Sequence, residues 1–385
     1  MTINVFIVDD SATARTALKL LLDGTDDITV TGVASNPVIA LKRMNIRWPD
    51  VIISDLEMPE MDGFTFLQHI QRERPTPFIV FSNHTGSSAM SSVEALSRGA
   101  MDIIPKPNFS CEESLDQTRE HILQSIRASA NTLAADAVKQ TLRERKKKRL
   151  STGQTLARAI LGEDLAQTLE RKTHNKADEQ PNDVVVDCEE LALRHKTSVV
   201  AIGSSTGGTT IVEKILTQMP INSPPVLIVQ HMPEHFTAAF AKRINQFCAI
   251  EVKEAKAGDV LTPGTAFIAP GGHHMAISSR GPGYRLDVYV GEHVNRHCPS
   301  VDVLFNSVAD RVGKNALGII LTGMGKDGAK GLLAMRERGA MTLAQAEKGC
   351  AVYGMPKAAV AIDAVCREML PQEIATVVSS LNKDE

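Results

Sequence analysis

Val199-Val200-Ala201-Ile202-Gly203-Ser204-Ser205-Thr206-Gly207 decides how the C-terminal half of this chain is read. An apolar run ends in G-x-S-x-G, and a helix-like stretch follows from Ile211 to Leu216. A strand that breaks sharply into a helix holds the central hydroxyl up and exposed, as a nucleophile requires. Such a serine still needs a base, a group that orients the base, and donors for the oxyanion.

Outward from this turn, apolar runs recur at Val226 to Gln230, Ala266 to Ala269, Leu317 to Leu321 and Met341 to Ala344. They predict an independent Rossmann-like parallel α/β domain over 197–385. His231 follows the Val226 run, and neutral imidazole is the usual serine-activating base near neutral pH. His231 and His235 stand four apart, a spacing that permits a metal site, but Pro233 interrupts the helix needed to align them. After Leu321 comes Gly323-Met324-Gly325-Lys326-Asp327-Gly328, literally G-x-G-x-x-G, which imitates a dinucleotide fingerprint. A carboxylate at Asp327 would repel the pyrophosphate, whereas the same Asp327 is either a plain helix N-cap or an N-cap whose free oxygen can accept a hydrogen bond from His231. His273 and His274 follow Gly271-Gly272 in a predicted turn and carry no assigned chemistry.

The N-terminal half alternates short apolar runs with helical patterns, at Val5 to Val8, Val30 to Ala34, Val51 to Ser54, Phe78 to Phe81 and Met101 to Ile104. Five such units predict a parallel sheet with helices on both faces, whose ligands bind at the carboxyl ends of strands. Asp9 and Asp10 end the first strand and Asp55 the third. Three carboxylates at one sheet edge repel unless a divalent cation binds, and hard oxygen ligands favour Mg²⁺. Asp55 is then placed to attack a phosphoryl donor, with Ser82 to hydrogen-bond the phosphoryl group and Lys106 to pair with its charge.

Between the halves, Ile122, Ile126, Leu133, Ala137 and Leu142 recur at roughly helical spacing. The basic run Arg143 to Arg149 and a polar stretch around Thr173 to Asn182 follow. An amphipathic helix, a basic hinge and a partly disordered tether are expected. The domains are therefore placed at 1–110 and 197–385, joined by a linker at 111–196.

Composition agrees with two folded halves: 385 residues, of which 43% are hydrophobic. A net charge of -3 gives no reason to expect nucleic acid as a partner. The 6 cysteines are scattered without C-x-x-C pairs, which argues against a zinc ribbon or a disulfide framework and fits a reducing cytoplasm. No run of about 18 apolar residues and no leader-like segment is seen. The expectation is a soluble, cytoplasmic protein without membrane insertion.

Two resemblances sharpen this reading. Val8-Asp9-Asp10-Ser11, Asp55 to Gly63, Ser82 and Lys106-Pro107 look like the receiver domain of two-component response regulators. The match implies a flavodoxin-like (βα)5 fold, Mg²⁺ at the acidic cluster and phosphorylation of Asp55 by a chemotaxis histidine kinase. Ile103 stands where many receivers carry a switch aromatic.

The second resemblance rests on Ile202 to Gly208, Gln230-His231-Met232-Pro233, Ala269 to His273, Arg296 to Asp302, Leu321 to Gly328 and Tyr353-Gly354-Met355-Pro356. Together they resemble the chemotaxis methylesterase (CheB) domain. That resemblance implies Ser205 as nucleophile, His231 as base, Asp327 as orienting acid and the Met324 amide in the oxyanion hole. Its implied substrates are glutamate γ-methyl esters on methyl-accepting chemoreceptors, and many relatives also deamidate receptor glutamines. No cofactor is implied for the hydrolysis. A receiver-linked transcription factor would instead need a helix-turn-helix and a basic output domain, and the strand-rich second half offers neither.

Overall fold

A computed structural model describes residues 2–83, 86–107, 115–116, 118–130, 197–278 and 283–381. The later part of the expected linker helix, the basic run and the polar stretch lie outside the described residues. The described residues of both halves belong to one compact unit.

The first sheet contains β1 (Ile3–Val8), β2 (Ile28–Ala34), β3 (Val51–Ser54), β4 (Phe78–Ser82) and β5 (Asp102–Pro105) in the order β2-β1-β3-β4-β5. All four pairings are parallel. Helices α1 (Ala12–Leu22), α2 (Pro37–Met44), α3 (Gly63–Glu73) and α4 (Gly86–Ser97) supply the crossovers. Local chemistry sets their starts: Ser11, Asn36 and Asp62 each accept a backbone N–H of the first turn, and Pro37 opens α2 with its φ already helical. Residues 118–130 form a further helix, α5. Ile122 and Ile126, expected in the connecting segment, are buried in the core of this first sheet with Leu123.

The second sheet orders seven strands as β14-β13-β12-β6-β7-β9-β8. They are β6 (Val199–Ser204), β7 (Val226–Gln230), β8 (Glu251–Glu254), β9 (Thr265–Ile268), β12 (Ala316–Ile320), β13 (Met341–Gln345) and β14 (Arg367–Met369). Every pairing is parallel. The central strands β6, β7 and β12 are buried along their whole length, because helices cover both faces. An antiparallel pair, β10 (His274–Ile277) and β11 (Leu286–Tyr289), forms a separate ribbon. The helices are α6 (Thr209–Leu216), α7 (Phe236–Asn245), α8 (Val301–Arg311), α9 (Ala329–Glu337), α10 (Met355–Ala361) and α11 (Pro371–Ser379). No helix among the described residues is long and apolar enough to cross a membrane.

Each sheet reverses direction once, between β1 and β3 in the first and between β6 and β12 in the second. Crossovers leave such neighbours toward opposite sides, opening a crevice at their carboxyl ends. Asp9, Asp10 and Asp55 follow one pair; Ser205 and Asp327 follow the other.

Candidate active site and receiver cluster

Ser205 is buried at the turn between β6 and α6. Gly207 takes φ +75°, and a Cβ there would come within 2.3 Å of Ala351 Cβ, so glycine answers both to conformation and to space. The backbone of Ser205 is fixed on two sides: its N–H donates to Thr322 O at 3.1 Å, and its carbonyl accepts from Gln230 Nε2 at 3.0 Å. Ser204 and Gln230 are register partners on β6 and β7, so Ser205 and His231 leave adjacent strands side by side.

The imidazole of His231 is oriented at one nitrogen. Its Nε2 lies 2.9 Å from Asp327 Oδ2, while its buried Nδ1 makes no hydrogen bond to protein. A carboxylate partner places the proton on Nε2 and leaves the lone pair on Nδ1. The serine-to-imidazole hydrogen bond is thus open in this state, and the nitrogen available to close it is Nδ1.

Asp327 is 1% exposed. It does not cap the helix that follows it, since Gly328 holds that position in α9. Its carboxylate turns instead to the start of α8. Oδ2 accepts from Val301 N at 2.7 Å, and Oδ1 accepts from Ser300 Oγ at 2.7 Å, Asn295 Nδ2 at 2.8 Å and Asp302 N at 3.3 Å. Burial alone would raise its pKa. The hydrogen bond and charge of His231, with those of Asn295 and Ser300, outweigh burial and hold the carboxyl well below the usual range. Asp302 differs: burial dominates and raises its pKa, although it accepts from Gly331 N at 2.6 Å and Asn295 Nδ2 at 2.7 Å.

His297, which carried no role in the sequence reading, stacks on His231 with ring centroids 3.7 Å apart and planes 11° from parallel. Burial, with His231 beside it, pushes its imidazole down to about 3. His235 lies outside this group, ahead of α7 with φ +72°, so the pair four apart shares no helix face. His274 is scaffold: its Nε2 lies 2.9 Å from Glu292 O, and its Nδ1 accepts from Ser300 N at 3.2 Å. A cavity of about 700 Å³ joins Ser205, His231, His297 and Met324 to Asp102, Glu120 and His121 of the first domain. Arg296 pairs with Glu120 across it.

In the receiver cluster, ligand atoms of Asp9, Asp10 and Asp55 lie within 4.8 Å of one another. Lys106 Nζ stands 2.5 Å from Asp55 Oδ2 and 2.9 Å from Asp9 Oδ2. Burial raises the pKa of Asp9 despite Lys106. Asp55 Oδ1 accepts from Leu56 N at 2.6 Å. Ser82 is buried at the end of β4, and its carbonyl accepts from Lys106 N at 2.9 Å. Converging oxygens with one partly neutralising ammonium suit a hard divalent cation. Ile103 is buried and lines a small pocket with Ser205 and Thr206.

Fold and site define a receiver domain joined to a parallel α/β hydrolase. Residues 5–117 match the response regulator receiver domain and 200–378 the CheB methylesterase model. "Protein-glutamate methylesterase/protein-glutamine glutaminase 3" of Shewanella oneidensis is 45% identical over 382 residues, covering 99% of each chain. The protein numbered 2 under that name in Pseudomonas syringae pv. tomato is 44% identical over 376 residues, covering 97% of each. The crystal structure of the Thermotoga maritima CheB methylesterase catalytic domain is 32% identical, with 47% of this chain and 99% of that one covered and a TM-score of 0.45. This chain belongs to the CheB methylesterase family.

Proposed function

We propose that the protein hydrolyses glutamate γ-methyl esters on methyl-accepting chemoreceptors in the cytoplasm, under control of phosphorylation at Asp55, and deamidates receptor glutamines by the same route. The names of the relatives and the arrangement of Ser205, His231 and Asp327 support this reading. One observation carries the mechanism: His231 Nε2 lies 2.9 Å from Asp327 Oδ2 while its Nδ1 makes no hydrogen bond to protein and lies beside the strand end that presents Ser205.

Ser205 Oγ attacks the ester carbonyl carbon as its proton passes to His231 Nδ1. The tetrahedral oxyanion is met by donors that include the Met324 backbone amide. As the intermediate collapses, the C–O bond to methoxide breaks and the Nδ1 proton leaves with it as methanol. Water then attacks the acyl-enzyme, gives its proton to Nδ1, and releases glutamate while Ser205 regains its proton. Asp327 stabilises the imidazolium in both halves. With a glutamine amide, ammonia takes the place of methanol.

In the receiver, a bound Mg²⁺ would shield the charge of the incoming phosphoryl group, and Asp9, Asp10 and Asp55 would hold it. Asp55 accepts the phosphoryl group from a histidine kinase. Ser82 and Lys106 then meet its oxygens, and the rearrangement shifts the balance between covered and open catalytic site. In this reading 1–110 is the receiver, 197–385 the esterase and 111–196 the connection.

The test is methanol release from a methylated receptor fragment. Ser205→Ala abolishes it while Asp55 still takes phosphate from an acyl phosphate. Turnover near the wild-type rate in that variant overturns the reading.

A further inference from the structure

Val294 and His297 exchange backbone hydrogen bonds, His297 N to Val294 O at 3.0 Å and Val294 N to His297 O at 3.1 Å. They close a four-residue turn around Asn295 at φ 52° and Arg296 at φ 72°. Two successive left-handed residues make a type I′ turn, which glycine or asparagine favours and arginine does not. Left-handed backbone is strained at a residue such as Arg296 and persists only where the surroundings over-determine it.

Those surroundings are the catalytic groups. Asn295 Nδ2 bridges Asp327 and Asp302, at 2.8 and 2.7 Å. Arg296 pairs with Glu120. His297 lies flat on His231. Three consecutive side chains therefore leave one strained turn, and two of them reach the members of the His231–Asp327 pair.

We propose that His297 is a positioning residue, whose stacked ring fixes the plane of His231 during proton transfer. The inference rests on the reading of His231 as the base. A hydrogen bond from His231 Nε2 to Asp327 anchors one atom of the imidazole and leaves the ring free to swing about that contact. Stacking supplies the missing constraint, because a face-to-face contact at 3.7 Å sets the ring plane. It also tolerates the reaction: when His231 becomes an imidazolium, an uncharged aromatic face beside it attracts the cation, whereas a second charge would repel it. Burial keeps His297 uncharged.

The experiment compares His297→Ala and His297→Phe in the full chain, with methanol release from a glutamate γ-methyl ester peptide as readout. Phenylalanine keeps a flat face and removes both ring nitrogens. His297→Ala is expected to lower kcat between about 10- and 100-fold, the range that follows small misplacement of a catalytic group, with KM changed less than about twofold. His297→Phe is expected to recover most of kcat. Wild-type kcat in the alanine variant overturns the proposal, as does a phenylalanine variant that melts like wild type and turns over no faster than alanine. If alanine prevents folding, the phenylalanine variant decides alone: kcat below about a tenth of wild type refutes positioning by the ring face. His231→Gln separates the two readings, since full turnover there removes the base itself, whatever His297 does.

Discussion

Asp327 receives the ring N–H of His231 at 2.9 Å on the same oxygen that takes the backbone N–H of Val301 at 2.7 Å. One carboxylate thus orients the imidazole and closes the start of α8. Asp327→Asn replaces one acceptor oxygen by a donor and meets N–H groups it cannot accept. Methanol release is expected to fall by about 10³ to 10⁴, and denaturant unfolding to show a loss of about 1–3 kcal/mol. Unchanged stability would show that α8 does not depend on this cap.

β6 passes α8 with no space for a side chain. A Cβ on Gly203 would stand 2.2 Å from Val301 Cγ1. Gly203→Ala should cost about 1–3 kcal/mol by overpacking, and Val301→Ala in the same chain should recover part of it. Additive losses in the double variant would place the strain elsewhere.

Phosphorylation control is expected to vanish in Asp55→Asn. An acyl phosphate should raise methanol release in wild type and leave the variant at its basal rate. Equal stimulation of both would separate the receiver from the mechanism.

The Arg296–Glu120 pair is exposed at 75% and 51%. Such pairs are worth about 0.2–1 kcal/mol. Since about 1.4 kcal/mol corresponds to tenfold, Glu120→Lys should raise the basal rate by no more than about fivefold. A larger rise in the rate assay would mean that this contact carries more of the domain closure than an exposed ion pair can.

His121 lies 3.2 Å from Asp102 on the neighbouring strand. Burial opposes its charge, but the Asp102 carboxylate outweighs burial and raises its pKa. A raised folded value means the stabilisation is complete below the unfolded pKa, about 6.5, and is lost as pH rises through the folded one. The gap in Tm between wild type and His121→Gln should therefore be wider at about pH 6 than at about pH 8.5. A gap that widens with pH would contradict the pairing.

Strongly apolar strands were legible in the sequence, and so were residues at their carboxyl ends, because topology alone sends those ends to one edge. Ser205, His231 and the acidic trio follow this rule. β8 was not legible: Glu251-Val252-Lys253-Glu254 is charged because it is an edge strand, where charge discourages further pairing. The short ribbon β10–β11 and strand β14 lack the long apolar run that marks a central strand. At Asp327 the sequence suggested a cap on its own helix, whereas the side chain reaches a helix that begins 26 positions earlier. His297 lies within a motif that assigns it no role, and Asn295 falls one residue outside that motif. A turn closed by Asn-Arg lacks the glycine that announces a type I′ turn, so the bend that brings both residues to the site left no local signature.

The double duty of Asp327 has a practical side. On the proposed function, an inert version that still binds a receptor would be valuable for capturing the encounter, and the acid is the wrong place to make one, because its carboxylate also holds the start of α8. Ser205, the nucleophile of the proposed reading, holds the scaffold through its main chain, so Ser205→Ala keeps those contacts and is the variant to try for this purpose.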